Sequence, residues 1–514
     1  MAEALVVGAG HNGLVAACYL ARAGLEVTVL EAQEEVGGGA RTAEVIPGHL
    51  FDLHSVAHNL INMTDIPQDL ELDEVGLEYV EMDPFAVGIF ADGRRVRFHR
   101  SLEATLESIA AASPKDVDPY RRFIAAGDLV MRAVLPALRG ERSLAALPGL
   151  VRGLYRSGGG RGLARDLAGG YGALLRRRLA SDLTRGPVAA FAAHGSVGPS
   201  VPGGALFAFW QAAYHTFGQW HARGGSQGLT NALTRRLAEM GGSVRCGSRV
   251  IRIERSNNAV TAVVVAGGER LPATLVITAV DPGTALLRLL DPPLAGAAGR
   301  DLAGAHRGNV VQGVIHAASS ILPPYPASDQ RDWQGLQSFV DELAPLEAAW
   351  RRAEAEEIPD VLPLYCFTPS ALDVGLAPSG RHTLYLACPA TPYRVRGGWD
   401  ARRQEFVESA VGALERRAPG VGASISAVAF RTPEEMTLDG LWPGAHPMHL
   451  DLTPDQLGAM RPTPALSSHR SGVKGLYLCG AGTAPSGGIL GTSGRLAARA
   501  LLEDVRKRGR SFGR

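Results

Sequence analysis

Residues 4–42 read ALVVGAGHNGLVAACYLARAGLEVTVLEAQEEVGGGART: a strand, a glycine turn, a helix, and a second strand that ends in a carboxylate. No other feature of the chain constrains its fold as much. Residues 4–7 are apolar throughout, as a parallel strand covered on both faces requires, and Gly8, Gly10 and Gly13 follow at the G-x-G-x-x-G spacing. Gly8 suits the tight turn and Gly10 leaves room for a pyrophosphate against the backbone. Gly13 lets the helix, expected over about 12–23, lie close on the sheet. Phosphates then meet a helix start, where unpaired N–H groups and the helix dipole favour negative charge. Residues 26–30 form the next strand, and Glu31 at its end can accept hydrogen bonds from a ribose diol. Strand, helix and acid at these offsets imply a dinucleotide, and FAD is the first expectation.

At 514 residues the chain exceeds one typical core, so two interleaved domains are expected. Hydrophobic residues (46%) supply ample core, and a formal net charge of +1 gives no whole-molecule field to recruit nucleic acid. Cationic charge is nearly all arginine, the lysines being Lys115, Lys474 and Lys507. Cys18, Cys246, Cys366, Cys388 and Cys479 are scattered, odd in number and free of a C-x-x-C pair. That pattern fits a reducing compartment and excludes the redox-active disulfide of disulfide-reductase flavoproteins. No metal-ligand cluster is visible, so no metal is expected. The chain opens on a strand rather than a charged leader, and no run of 18 or more apolar residues occurs. A cytoplasmic protein, soluble or peripherally attached, is the expectation.

Dinucleotide-type signals recur in three places, so the cofactor domain is expected to assemble from 1–50, 224–282 and 471–505, with 51–223 and 283–470 forming a substrate domain and 506–514 a frayed basic tail. In the central part, Gly224–Gly228 opens a helix over about 229–240, followed by β-rich runs at 244–254, 260–265 and 271–279. The substrate domain offers a hairpin (85–90 and 95–98) and a helical lid over about 100–183. Strands are expected near 309–317, 382–388 and 424–430, and a helix near 402–417. Gly158-Gly159-Gly160 reads as a linker. Arg132, Arg139, Arg142, Arg152, Arg156, Arg161, Arg165 and Arg176-Arg177-Arg178 fit a solvated helical face; a basic surface resting on lipid is the other reading.

Two further glycine stretches carry cofactor chemistry. The run 37–42, with Gly38, Gly39 and Arg41, suits backbone contact and charge pairing with a pyrophosphate. The run 475–488 puts a strand before a second glycine turn, and residues 487–494 open the last helix toward a phosphate or flavin edge. In GAGHNGLVAA (8–17), VGGGART (36–42), GGSQGLTNAL (224–233), AVDP (279–282) and GLYLCGAGTAPSGG (475–488), the chain resembles the phytoene desaturase-like flavoproteins, the carotenoid desaturase and isomerase branch of the amine-oxidase superfamily. The resemblance spans nearly the whole length. It implies an α/β fold, with a Rossmann-type FAD-binding domain of discontinuous segments and an α+β substrate domain. It also implies that Glu31 binds the adenosine ribose, Arg41 approaches the pyrophosphate and Val250 contacts the adenine through its backbone. Gly480, Gly482, Gly488 and Ile489 then lie near the ribityl and isoalloxazine parts. Ser486 stands where relatives commonly have glycine.

No second dinucleotide fingerprint is evident, so electrons are expected to leave the flavin to oxygen or a quinone, or to return to the product in an isomerisation. Candidate cavity walls are His194, Tyr214, Trp220 and Trp442, with His215 and His221 nearby, and His54 is a candidate for the flavin side. His446, His449 and Asp451 form the candidate acid/base set, with His449 and Asp451 as the pair. The leading expectation is desaturation of a C–C bond in a small, largely apolar or amphipathic substrate. The alternatives are a flavin amine oxidase, a redox-neutral isomerase and a non-catalytic flavin-binding protein. No lysine lies in 300–320, where many amine oxidases place one near the flavin.

Overall fold

The structure is a computed structural model that describes residues 3–141, 160–326, 328–440 and 442–511. Five strands build a wholly parallel sheet in the order Leu476–Leu478, Val276–Thr278, Glu3–Val7, Glu26–Leu30, Ser243–Arg245. Ala4 and Val6 enter a core with the helices His11–Arg22, Gln227–Glu239 and Thr492–Ser511. Leu5 and Val7 enter a separate core with Ile253, Val263 and Val265. With both faces covered, the first strand has no polar face to show, which explains its unbroken apolar run. The helices approach closely: a Cβ at Gly13 would lie 2.1 Å from the Gly8 carbonyl oxygen, and one at Gly494 would lie 2.1 Å from that of Asn12.

A second sheet runs Arg270–Pro272, Ala259–Val265, Val250–Ser256, Leu290–Asp291. Two β-rich runs of the sequence are each divided here. Residues 244–254 split into Ser243–Arg245 in the parallel sheet and Val250–Ser256 in the second, and 271–279 splits into Arg270–Pro272 and Val276–Thr278 in the same way. In each case the chain crosses between two sheets, so apolar content continues while the pairing partner changes.

The third sheet has seven strands, ordered Ile425–Phe430, Val310–Ser319, His382–Pro392, Tyr365–Phe367, Leu336–Ser338, Ala86–Ile89, Arg95–Phe98. It shares the largest core with the helices Val117–Leu138, Tyr171–Arg178, Asp182–Ala193, Ala205–Phe209 and Gln211–Phe217. The hairpin and the three long strands match the expected positions to within a few residues. The three-residue strands at 336–338 and 365–367 carry too little pattern to be read from sequence.

Arg176 pairs with Glu347 at 2.6 Å, and Arg177 and Arg178 both hold the buried Asp166, at 2.6 and 2.7 Å. That charge is matched inside the protein. Arg142, Arg152, Arg156 and Gly158-Gly159 lie outside the described residues. Among the described residues no helix is long and apolar enough to cross a membrane. The last helix runs to Ser511, past the expected end near 505, so most of the supposed frayed tail continues a helix.

Candidate active site

A single cavity of about 1440 Å³ runs from the edge of the parallel sheet into the helical layer over the seven-stranded sheet. Ligand pockets commonly measure roughly 300–1,000 Å³, so there is room for a dinucleotide and a substrate together. At one end it is lined by Gly8, Gly10, Gly13, Glu31, Gly38, Gly39, Arg41, Val250, Gly480, Gly488 and Ile489. Gly8 takes φ +101, and a Cβ at Gly10 would meet only Gly38 Cα, at 3.9 Å, so the space before Gly10 belongs to the cavity. Helix His11–Arg22 begins there with no side chain capping it, its first bond running from the Leu14 N–H to the Gly10 carbonyl. Glu31 is fixed at its strand end, accepting from the Ala9 N–H at 2.7 Å and the Gln33 N–H at 3.0 Å. Arg41 Nε is buried without a hydrogen-bond partner among the described residues, and Glu35 stands 3.7 Å away. A helix start, a glycine cradle and an unclaimed guanidinium donor fit a pyrophosphate, and Glu31 fits a ribose. Glu31→Ala should weaken flavin retention while leaving the chain folded; unchanged flavin content after gel filtration would reject the ribose role.

At the other end the walls come from the helices Val117–Leu138, Asp182–Ala193, Ala205–Phe209 and Gln211–Phe217, the strand Val310–Ser319 and the residues 436–438 and 442–449. His194, Tyr214 and Trp442 line it, as do Phe191, Leu206, Phe207, Trp210, Gln312 and Met436, none of which was singled out from sequence. His54 also lines the cavity, its ring 4.4 Å from that of Trp442. Trp220 does not. It sits in a short strand opposite Glu81, donates its indole N–H to the Phe217 carbonyl at 2.8 Å and carries Arg100 over its ring.

The loop 442–451 divides its three candidates. His449 lines the cavity, while His446 and Asp451 lie behind it and pair with each other at 3.2 Å. His446 Nδ1 accepts the Met448 N–H, so Nε2 carries the proton, close to Asp451 but outside hydrogen-bond geometry. The pairing of His449 with Asp451 expected from spacing is thus replaced by His446 with Asp451. The reason is a backbone reversal: His449 takes φ +63, a left-handed conformation that costs a non-glycine residue roughly 1–3 kcal/mol. Two arginines hold it there, one distant in sequence and one just beyond the loop. Arg307 donates to the His449 carbonyl and to the carboxylate of buried Asp281. Arg461, fully buried, donates to the carbonyls of Met448, Leu450, Asp451, Gln456 and Ala481, tying the loop to the glycine turn at 480–481. Neither arginine has a sequence signal that marks this role. Gly482, also expected at the cofactor, lies behind the wall, where a Cβ would be 2.4 Å from Pro282 Cδ.

Burial sets the electrostatics. It lowers His449 to about 4, with Arg461 and Arg307 opposing the favourable charge of Asp281, and lowers His11, hydrogen-bonded to the Gly488 carbonyl, to about 4. His54 falls to about 3, again mainly through burial. His58, His194, His215, His316 and His469 are depressed to about 3 or 4 for the same reason. These rings fold neutral, whereas the unfolded chain protonates them near 6.5. Stability present above 6.5 is therefore lost as the pH falls toward about 4. Thermal unfolding followed across that window should show a steep fall in midpoint, and a flat profile would contradict the buried neutral state.

The parallel sheet, the glycine cradle and the deep second compartment define a dinucleotide-dependent oxidoreductase. The family model described as flavin containing amine oxidoreductase matches residues 13–316, and the chain belongs to that family. It is an FAD-dependent oxidoreductase. Over 554 residues it is 29% identical to the mouse "Pyridine nucleotide-disulfide oxidoreductase domain-containing protein 2", covering 98% of this chain and 94% of that protein. Over 531 residues it is 28% identical to the phytoene dehydrogenase of Streptomyces griseus, covering 97% and 94%. Putrescine oxidase, solved with putrescine bound, shares the fold at a TM-score of 0.61 and 18% identity, covering 98% of this chain and 99% of that one. All five cysteines here are free, so no disulfide accompanies the flavin.

Proposed function

We propose that the chain desaturates a C–C bond of a largely apolar substrate held in the helical compartment. The observation that carries this reading is the makeup of that compartment. The carboxylates that line the cavity are Glu31, Glu35 and Asp281: Glu31 and Glu35 belong to its dinucleotide end, and Asp281, near His449, is already engaged by Arg307. None of the three lysines lines the cavity. An alkylammonium would be stripped of water there with no counter-charge, at a cost of several kcal/mol. Hydrocarbon meets Leu206, Phe207, Phe191 and Val314 at no such cost.

Bound FAD supplies the hydride acceptor. Glu31, Arg41 and the start of helix His11–Arg22 hold the dinucleotide, and the apolar walls exclude water and orient the chain of the substrate. We assign His449 as the group that takes the accompanying proton. Its ring is neutral, it lines the cavity, and its Nδ1 is buried with no hydrogen-bond partner among the described residues. Oxygen or a quinone would serve as the electron acceptor of the desaturation, whereas a redox-neutral isomerase would need the flavin reduced before turnover. Mixing the FAD-loaded protein with substrates under anaerobic conditions tests the reading. An isoprenoid should bleach the flavin band, and bleaching by an alkylamine alone would replace this reading with amine oxidation.

A further inference from the structure

The helical compartment is apolar but not uniformly so. His194, next to the end of helix Asp182–Ala193, lines the cavity, and its side chain has no hydrogen-bond partner among the described residues. What surrounds it is aromatic: Phe191 at 6.5 Å and Tyr365 at 5.3 Å between ring centroids. Tyr214, in helix Gln211–Phe217, also lines the cavity, packs edge-on against Phe191 at 4.5 Å, and its hydroxyl has no hydrogen-bond partner among the described residues. Behind them the Tyr365 hydroxyl is buried and likewise unpartnered. By contrast Trp210, in the same wall, spends its indole N–H on Asn59 at 3.0 Å.

Two polar side chains, His194 and Tyr214, thus flank Phe191 on the cavity wall with their hydrogen-bonding capacity unused by the protein and open to a ligand. We propose that the substrate carries an uncharged oxygen function, a hydroxyl or a carbonyl, which hydrogen-bonds to His194 and Tyr214 while its hydrocarbon part fills the compartment. This rests on the reading of the site as one for a largely apolar substrate. A hydroxyl can donate to an imidazole nitrogen and accept from the phenol, and a carbonyl can accept from both. The oxygen is uncharged because nothing near it is charged. Burial alone moves both rings, lowering His194 and raising Tyr214, with no neighbouring ion contributing to either. Arg431, which also lines the cavity, acts on His54 and His316 instead.

The test is equilibrium binding of decanol, decane, decanoate and decylammonium to the FAD-loaded protein, read from the flavin spectrum and from the fluorescence of the cavity tryptophans. Decanol should bind more tightly than decanoate or decylammonium. His194→Leu and Tyr214→Phe should each weaken decanol by about tenfold and leave decane unchanged or tighter, whereas His194→Gln, which keeps a donor and an acceptor, should retain most of the decanol affinity. Equal responses of decanol and decane to these variants, or no decanol binding to the wild type, would overturn the proposal. The assay needs no turnover, so its failure is separate from that of the desaturase reading, which stands or falls on which substrate bleaches the flavin.

Discussion

Gly10→Val protein should purify folded and colourless, whereas Gly13→Ala protein should be hard to fold at all. The two glycines lie three residues apart in one motif, yet their surroundings differ. A Cβ at Gly10 finds only Gly38 Cα at 3.9 Å, so valine fits the protein and fills the space that a pyrophosphate needs. A Cβ at Gly13 would stand 2.1 Å from the Gly8 carbonyl oxygen and 3.0 Å from Ala279 Cβ, so even alanine forces the first helix off the sheet. Overpacking of this kind costs about 3 kcal/mol. Flavin content and denaturant unfolding of the cofactor-free proteins separate the cases. A yellow Gly10→Val protein, or a Gly13→Ala protein as stable as the parent, would mean that the cradle is misassigned.

His449→Ala should slow anaerobic flavin reduction by about 10²-fold or more, in line with the loss of a positioned base. The pH profile adds a sharper condition. A base acts only when unprotonated, and burial holds His449 at about 4, so the parent rate should stay level across neutral pH and fall only as the pH drops toward that value. An inflection near 6.5 that disappears in the variant would instead describe a solvated histidine and contradict the buried geometry. An unchanged rate in His449→Ala would leave its left-handed backbone as a purely structural feature.

Much of the dinucleotide end was legible because its motifs are local, although Val250, Gly480, Gly488 and Ile489 reach it from distant segments. Gly8, Gly10, Gly13 and Glu31 do their work within one strand–helix–strand unit, and Gly38, Gly39 and Arg41 follow directly after it. The compartment beyond was legible only in fragments, since four helices, a strand and a loop each contribute side chains to it. Phe207, Trp210 and Gln312 look like ordinary core residues until those elements meet. The loop 442–451 shows a different limit: which of His446, His449 and Asp451 faces inward depends on a backbone reversal braced by Arg307 and Arg461, and neighbouring residues do not encode it. Trp220 was misplaced because its strand pairs with 79–81 and turns the indole outward.

The order of the parallel sheet also bears on how the protein comes to exist. Its edge strand, Leu476–Leu478, and the helix Thr492–Ser511 that packs against the first helix are synthesised long after the first strand and helix that they cover. Domains form as their residues emerge, so a nascent chain has the first strands and their turn long before it has the wall that encloses them. A flavin that touches both the early segment and the late one stabilises the state in which they are joined, so residues 476–505 should be cut more slowly by proteases when flavin is bound.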